Sequence, residues 1–266
     1  MSGVSGADHL HVTEAGEGRP VVLLHGLTAT SRYVVMGSRT LERTEHRVVA
    51  YDARGHGVSD PAEPYTYATL TEDLGAVLDA RGIERAVLVG ASMGAHTLLR
   101  LALEAPERVA GAVVVTPAHH ALSPPSEGRW DALAAGLRAD GIDGFVAAYG
   151  VEDVPERWRG TIETVLRQRM GQHEDLDAVA AAIEQVPHST PYDVEDLDAL
   201  GAAGLPSVVV ADRDEADPGH PLWVGEEYAR RLGAELVVEP EGKSPVAWQG
   251  GQLSRVVAAL AERAAW

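Results

Sequence analysis

Apolar residues along the chain fall in short unbroken runs separated by amphipathic stretches. Val21-Val22-Leu23-Leu24, Arg47 to Tyr51, Ala86-Val87-Leu88-Val89, Val109 to Val115 and Leu205 to Ala211 are such runs. Segments this short and this continuously apolar are what parallel strands buried on both faces require. His9 to Glu14 alternates loosely, as an edge strand does, and Ala234 to Glu239 reads as the last strand. Helical spacing predicts helices over Ser31 to Arg43, Tyr67 to Ala80, Met93 to about Leu103, Trp223 to Leu232 and Gln249 to Ala264; in the second, Leu70, Leu74, Val77 and Leu78 form the core-facing stripe. Strands alternating with helices predict an α/β fold, doubly wound about a mostly parallel sheet of about seven strands.

Between Ala121 and Ala203 the period changes. Arg129 to Ala139, Pro155 to Met170 and Glu174 to Val186 carry helical spacing with no strand between them, broken by Gly141, Gly144, Gly150 and Gly171. This predicts a helical cap inserted after the fifth or sixth strand. The core would then comprise residues 1–120 and 204–266, with the cap at 121–203. Trp130, Phe145, Tyr149, Trp158 and Met170 are candidates either for lining a pocket under the cap or for the cap's own core.

The chemistry concentrates where strands end. Ala86 to Val89 stops at Gly90-Ala91-Ser92-Met93-Gly94, and an apolar-periodic helix follows. A serine on a strand-to-helix turn needs very small neighbours on either side so that strand and helix can approach, and Gly90 and Gly94 supply them. The helix start directs unpaired N–H groups at any charge developing beside Ser92. Val21 to Leu24 likewise ends in His25-Gly26-Leu27-Thr28, whose Leu27 N–H can share that space with the N–H of Met93 as a two-donor oxyanion hole. His25 reads as a structural residue shaping the turn. A further strand end carries Asp212-Arg213-Asp214-Glu215-Ala216-Asp217-Pro218-Gly219-His220, at the edge where parallel α/β sheets bind ligands.

Composition narrows the function classes. A net charge of −18 repels phosphate backbones and anionic membrane surfaces, so neither nucleic acid nor membrane is an expected partner. Zero cysteines exclude a disulfide framework, thiolate metal sites and a cysteine nucleophile. Met1 to Gly6 has neither a basic region nor an apolar stretch, so a cytoplasmic location is expected. No phosphate loop or dinucleotide fingerprint occurs, and no cofactor is expected. His119 and His120 are adjacent, so on an extended chain they point apart, and no metal site is expected there.

His25-Gly26-Leu27-Thr28, then Asp52-Ala53-Arg54-Gly55-His56-Gly57-Val58-Ser59-Asp60, then Gly90 to Gly94 resemble, in that order, the α/β-hydrolase superfamily. The resemblance covers about Val21 to Val115 and Leu205 to the end. It implies that Asp52, Arg54 and His56 are scaffold, and that the site follows the order nucleophile, acid, histidine. Ser92 matches the nucleophile and Asp214 the acid, but Lys243 stands where the histidine should, and no histidine follows His220.

Three readings of that departure stay open. Lys243 could be the base, although lowering its pKa by about three units from ~10.4 costs roughly 4 kcal/mol and the surrounding acids oppose it. His220 could supply the imidazole from the acid loop, oriented by Asp214 or by Asp217. Or hydrolysis is lost, leaving a protein that binds a carbonyl metabolite or promotes a cyclisation, elimination or rearrangement. The leading expectation is a serine-dependent hydrolase of a small ester, lactone or thioester, acting through an acyl-enzyme on Ser92 with His220 or Lys243 as base.

Overall fold

The computed structural model describes residues 6–119, 121–151, 154–214, 217–264 and 266. His120 and most of the N-terminal segment weighed above lie outside the described residues. The strands are β1 (Val12–Ala15), β2 (Arg19–Leu24), β3 (His46–Tyr51), β4 (Ala86–Ala91), β5 (Val109–Val115), β6 (Ser207–Ala211) and β7 (Glu235–Val238). They form one sheet in the order β1-β3-β2-β4-β5-β6-β7. β1 pairs antiparallel with β3 and every other pair is parallel.

The apolar runs explain the two layers. Within each strand successive side chains point to opposite faces. Val22, Leu24, Leu88, Val114 and Val209 therefore enter one core cluster, and Val21, Leu23, Val87, Val89, Val113, Val115, Val208 and Val210 the other. Helices α1 (Tyr67–Ala80) and α2 (Met93–Glu104) cover the first face. A capping box between Thr66 and Thr69 fixes the start of α1.

The expected helix over Ser31 to Arg43 is not continuous. It is two 3-10 turns, Ser31–Tyr33 and Leu41–Arg43, because Met36 (φ 47°) and Gly37 (φ 68°) turn the chain into the left-handed region between them. Val34, Val35 and Leu41 still pack into the second face's core.

The cap follows β5. Its helices are α3 (Arg129–Tyr149), α4 (Glu156–Met170) and α5 (Leu176–Gln185). α3 runs ten residues past its expected end, bending where Asp140 and Gly141 leave helical geometry. Phe145 and Met170 lie inside the cap's own cluster with Leu133, Leu137, Ile162, Leu166 and Ile183, so they are core rather than pocket lining.

α6 (Asp196–Ala202) falls within the expected cap interval but packs Leu197 and Leu200 into the first-face cluster of the sheet. α7 (Leu222–Leu232) adds Val224, Tyr228 and Leu232 to that cluster, and α8 (Gly250–Arg263) covers the opposite face with Leu253, Val257 and Leu260. Among the described residues no helix is long and apolar enough to cross a membrane.

His173, in the turn between α4 and α5, fastens the cap to the core. Its Nδ1 accepts from the Gly57 N–H (2.8 Å) and its Nε2–H donates to the Thr28 carbonyl (3.1 Å). Burial pulls its pKa down to about 4, so the ring stays neutral and keeps the one acceptor and one donor this docking needs. The Glu174 N–H donates to Gly57 O beside it (2.9 Å).

Candidate active site

Ser92 sits between β4 and α2 at φ 48°, ψ −108°, a conformation non-glycine residues rarely hold. The two glycines permit it. A Cβ on Gly90 would lie 2.3 Å from Gly94 O, and one on Gly94 would lie 2.4 Å from Leu24 O and 2.8 Å from His25 O. Strand, helix and the end of β2 thus meet backbone to backbone. The Ser92 N–H is tied to Val115 O at 2.9 Å, and its carbonyl starts α2 by accepting from Ala95 and His96.

The turn after β2 lies against the serine. A Cβ on Gly26 would come within 3.5 Å of Ser92 Cβ, so Gly26-Leu27 passes directly beside Ser92. Two neutral imidazoles hold this turn. His25 donates from Nδ1 to Gly26 O (2.8 Å) and accepts at Nε2 from the Ala53 N–H (2.8 Å), while His56 donates to Arg54 O and accepts from the Thr28 N–H. Burial lowers the pKa of both rings, consistent with these single-proton roles. Asp52 accepts from the Ser31 and Val58 N–H groups, and Arg54 forms a two-pronged pair with Asp73 at 2.7 Å. Among the described residues neither the Leu27 nor the Met93 N–H donates to another protein group.

The imidazole that meets Ser92 belongs to His220. Its Nε2 lies 2.9 Å from Ser92 Oγ, and its Nδ1 lies 2.9 Å from Asp217 Oδ2. With Nδ1–H donating to the carboxylate, Nε2 is left to accept the serine hydroxyl proton. Local sequence builds this pair. Asp217-Pro218-Gly219-His220 is a β-turn closed by His220 N–H to Asp217 O (3.1 Å), Pro218 pre-sets the second position, and the two side chains emerge on one side. Burial alone would depress the His220 pKa, but the Asp217 carboxylate beside it outweighs this and raises it. Burial would raise Asp217 in turn, and the charge and hydrogen bond of His220, helped by the charge of Arg169, bring it below the usual carboxylate value.

Two expected participants are elsewhere. Asp214 does not face His220: its Oδ1 accepts from the Leu222 N–H at 2.7 Å, holding the first turn of α7, where a carboxylate suits unpaired amides and the positive helix end. Lys243 is exposed, and its ammonium makes no hydrogen bond or ion pair among the described residues. Its turn, closed by Lys243 N–H to Pro240 O, leaves the side chain in water.

Sequence reasoning passed over a buried acid. Asp212, at the end of β6, is fully buried and neither oxygen meets hydrogen-bond geometry, while Glu239 Oε2 is also unpartnered. Burial first, then the Asp217 and Glu239 charges, push Asp212 up to about 7; the His220 charge pulls the other way. An aspartate one residue past a strand reads as a rim residue, and only the packing of β7 and the 246–248 turn around it makes it a buried one. Arg169 in the cap is a second omission. Leu27, Tyr149, Trp158 and Trp248 supply partly buried apolar surface against the cap core, with Trp158 and Trp248 packed edge to face at 5.7 Å.

Residues 19–152 match a family model described as alpha/beta hydrolase fold. A putative carbamate hydrolase of Variovorax paradoxus (strain S110) is 32% identical over 223 residues, covering 78% of each chain. The 3-oxoadipate enol-lactonase 1 of Acinetobacter baylyi is 33% identical over 132 residues, 50% of this chain and 48% of that one. The chain thus spans about half the length of that relative, and 40% of another curated one. Among solved structures, a thermophilic esterase from Thermogutta terrifontis superposes with a TM-score of 0.76 over 96% of this chain and 93% of its own, at 23% identity.

Proposed function

The chain belongs to the alpha/beta hydrolase fold family, and on that premise we propose that it hydrolyses a small carboxylic ester or lactone through an acyl-enzyme on Ser92. The observation that carries the proposal is the unbroken chain Ser92 Oγ, His220 Nε2, His220 Nδ1, Asp217 Oδ2, with both hydrogen bonds at 2.9 Å. The relatives named as carbamate hydrolase and enol-lactonase support acyl chemistry at a carbonyl.

Ser92 Oγ attacks the carbonyl carbon as His220 Nε2 takes its proton. The Leu27 and Met93 N–H groups receive the charge that moves onto the carbonyl oxygen. The tetrahedral species collapses, the carbonyl re-forms, and the departing alkoxide takes the proton from His220. Water then repeats the sequence on the acyl-enzyme, with His220 as its base and the Ser92 hydroxyl restored. Asp217 holds the imidazole in the useful tautomer and stabilises the imidazolium. An imidazole hydrogen-bonded to Ser92 favours hydrolysis over the non-hydrolytic reading, which supposes a serine without a base.

Turnover of 4-nitrophenyl butyrate, with mass spectrometry of the quenched enzyme, tests the reading. Wild type should show acyl mass on the peptide carrying Ser92, while Ser92→Ala and His220→Ala should each lose about 10³-fold or more in kcat. Lys243→Ala should stay within about threefold of wild type, as expected of an exposed side chain. Full activity in His220→Ala, or collapse in Lys243→Ala, would return the base to the last turn.

A further inference from the structure

The C-terminal turn of α4 hangs over the nucleophile. Met170 packs in the cap cluster against which Leu27 rests, and His173, four residues past Arg169, is bonded to Thr28 in the same turn of the core. Arg169 lies in this overhang. Its Nε is sealed from solvent with no hydrogen-bond partner, and its guanidinium forms no ion pair with any described residue.

That isolation sets it apart from two other arginines of the cap. Arg138 pairs with Glu184, and Arg167 with Asp143 and Glu163. Arg169 is surrounded instead by the site: its charge acts on Asp217, His220, His25, His173 and Tyr149. Burial is the main influence on the guanidinium itself, and it disfavours the charged form. A guanidinium offers five donors in a planar fork that matches a carboxylate in two-point fashion. Asp217 forms no ion pair or hydrogen bond with it; its Oδ2 holds His220 instead.

Resting on the hydrolase reading above, we infer that the natural substrate carries a carboxylate and that Arg169 receives it, so that the scissile carbonyl is presented to Ser92 with an anionic arm reaching up into the cap. Substrates of this class are half-esters of dicarboxylic acids and lactones bearing a free acid. The apolar surfaces of Leu27, Trp158 and Trp248 would hold the chain between the two ends. Arg169 is then the specificity-determining residue, and this role accounts for a half-buried cation with a sealed, unpartnered Nε beside an imidazole whose protonation it opposes.

Two esters of equal chain length test this: mono-4-nitrophenyl adipate, which carries the carboxylate, and 4-nitrophenyl hexanoate, which does not. Wild type should favour the adipate ester by about tenfold or more in kcat/KM, the scale of a charge-assisted hydrogen-bonded pair. Arg169→Met should abolish that ratio and Arg169→Lys should keep part of it, with thermal midpoints confirming that both fold. A wild-type ratio near one, or one that survives in Arg169→Met, overturns the inference, while hexanoate turnover lost in Ser92→Ala leaves the hydrolase reading standing. Should neither ester turn over, the hydrolase reading fails by itself, and calorimetric titration of adipate into Ser92→Ala still decides the inference. Saturable binding that vanishes in Arg169→Met supports it, and no binding defeats it.

Discussion

His220 carries two opposed influences that can be separated. Burial depresses its pKa and Asp217 raises it, with a net rise. An imidazole must be neutral to act as base, so the acid limb of the kcat/KM profile should turn above the ordinary histidine value of ~6.5. In Asp217→Asn only burial remains dominant, and that limb should move below ~6.5 while kcat falls by about 10²–10⁴-fold. A profile from pH 4.5 to 9 on a neutral ester checks both. Asp212 is displaced in the same direction by a different cause, burial first and then the neighbouring Asp217 and Glu239 charges. Its folded pKa of about 7 stands above the reference 3.8, so it favours the folded state below pH ~4 and loses that contribution as pH rises through 7. Above that, a charged carboxylate is buried beside Asp217 and Glu239. Asp212→Asn should be near neutral in urea denaturation at pH 4 and stabilising by on the order of 2–4 kcal/mol at pH 8, since each unit is worth ~1.4 kcal/mol.

The elements that the sequence made legible are those whose cause is local. Continuous apolar runs became buried parallel strands, and the stripe Leu70, Leu74, Val77, Leu78 became α1 over the expected residues. Gly90 and Gly94 were readable because nothing larger fits where strand and helix cross. Gly94→Ala, whose Cβ would meet two backbone carbonyls within 2.8 Å, should cost about 3 kcal/mol or more and abolish esterase activity. Urea midpoints and turnover measure this. What stayed hidden depends on the path of a turn or on distant packing. Asp214 and Asp217 are both carboxylates on one loop; only the β-turn at Pro218-Gly219 sends the later one to His220 while Leu222 takes the earlier. Met36 reads as helical and instead takes a positive φ. Arg169 reads like any arginine at a helix end, because the sealing of its Nε without a partner is a tertiary fact.

At the scale of the molecule, core and cap meet beside the Gly26–Thr28 turn that flanks Ser92, and His173 is the joint. His173→Ala removes two hydrogen bonds to the core, for a loss of about 2 kcal/mol, and should speed hydrogen exchange at the Gly57 amide relative to those of β4. Unchanged protection at Gly57 would mean that the apolar contacts of Leu27 with the cap hold the two bodies together without it.

Asp217 and His220, the acid and base of the proposed mechanism, sit three residues apart on one turn, so that pair forms a single short cassette between β6 and α7. Under that mechanism the segment after β7 takes no part in proton transfer, so Trp248 within it and Trp158, packed edge to face, are expected to tolerate exchange together while the Ser92–His220–Asp217 chain stays in place. Position 243, exposed and outside the proposed mechanism, is a natural attachment point for a label or a tether.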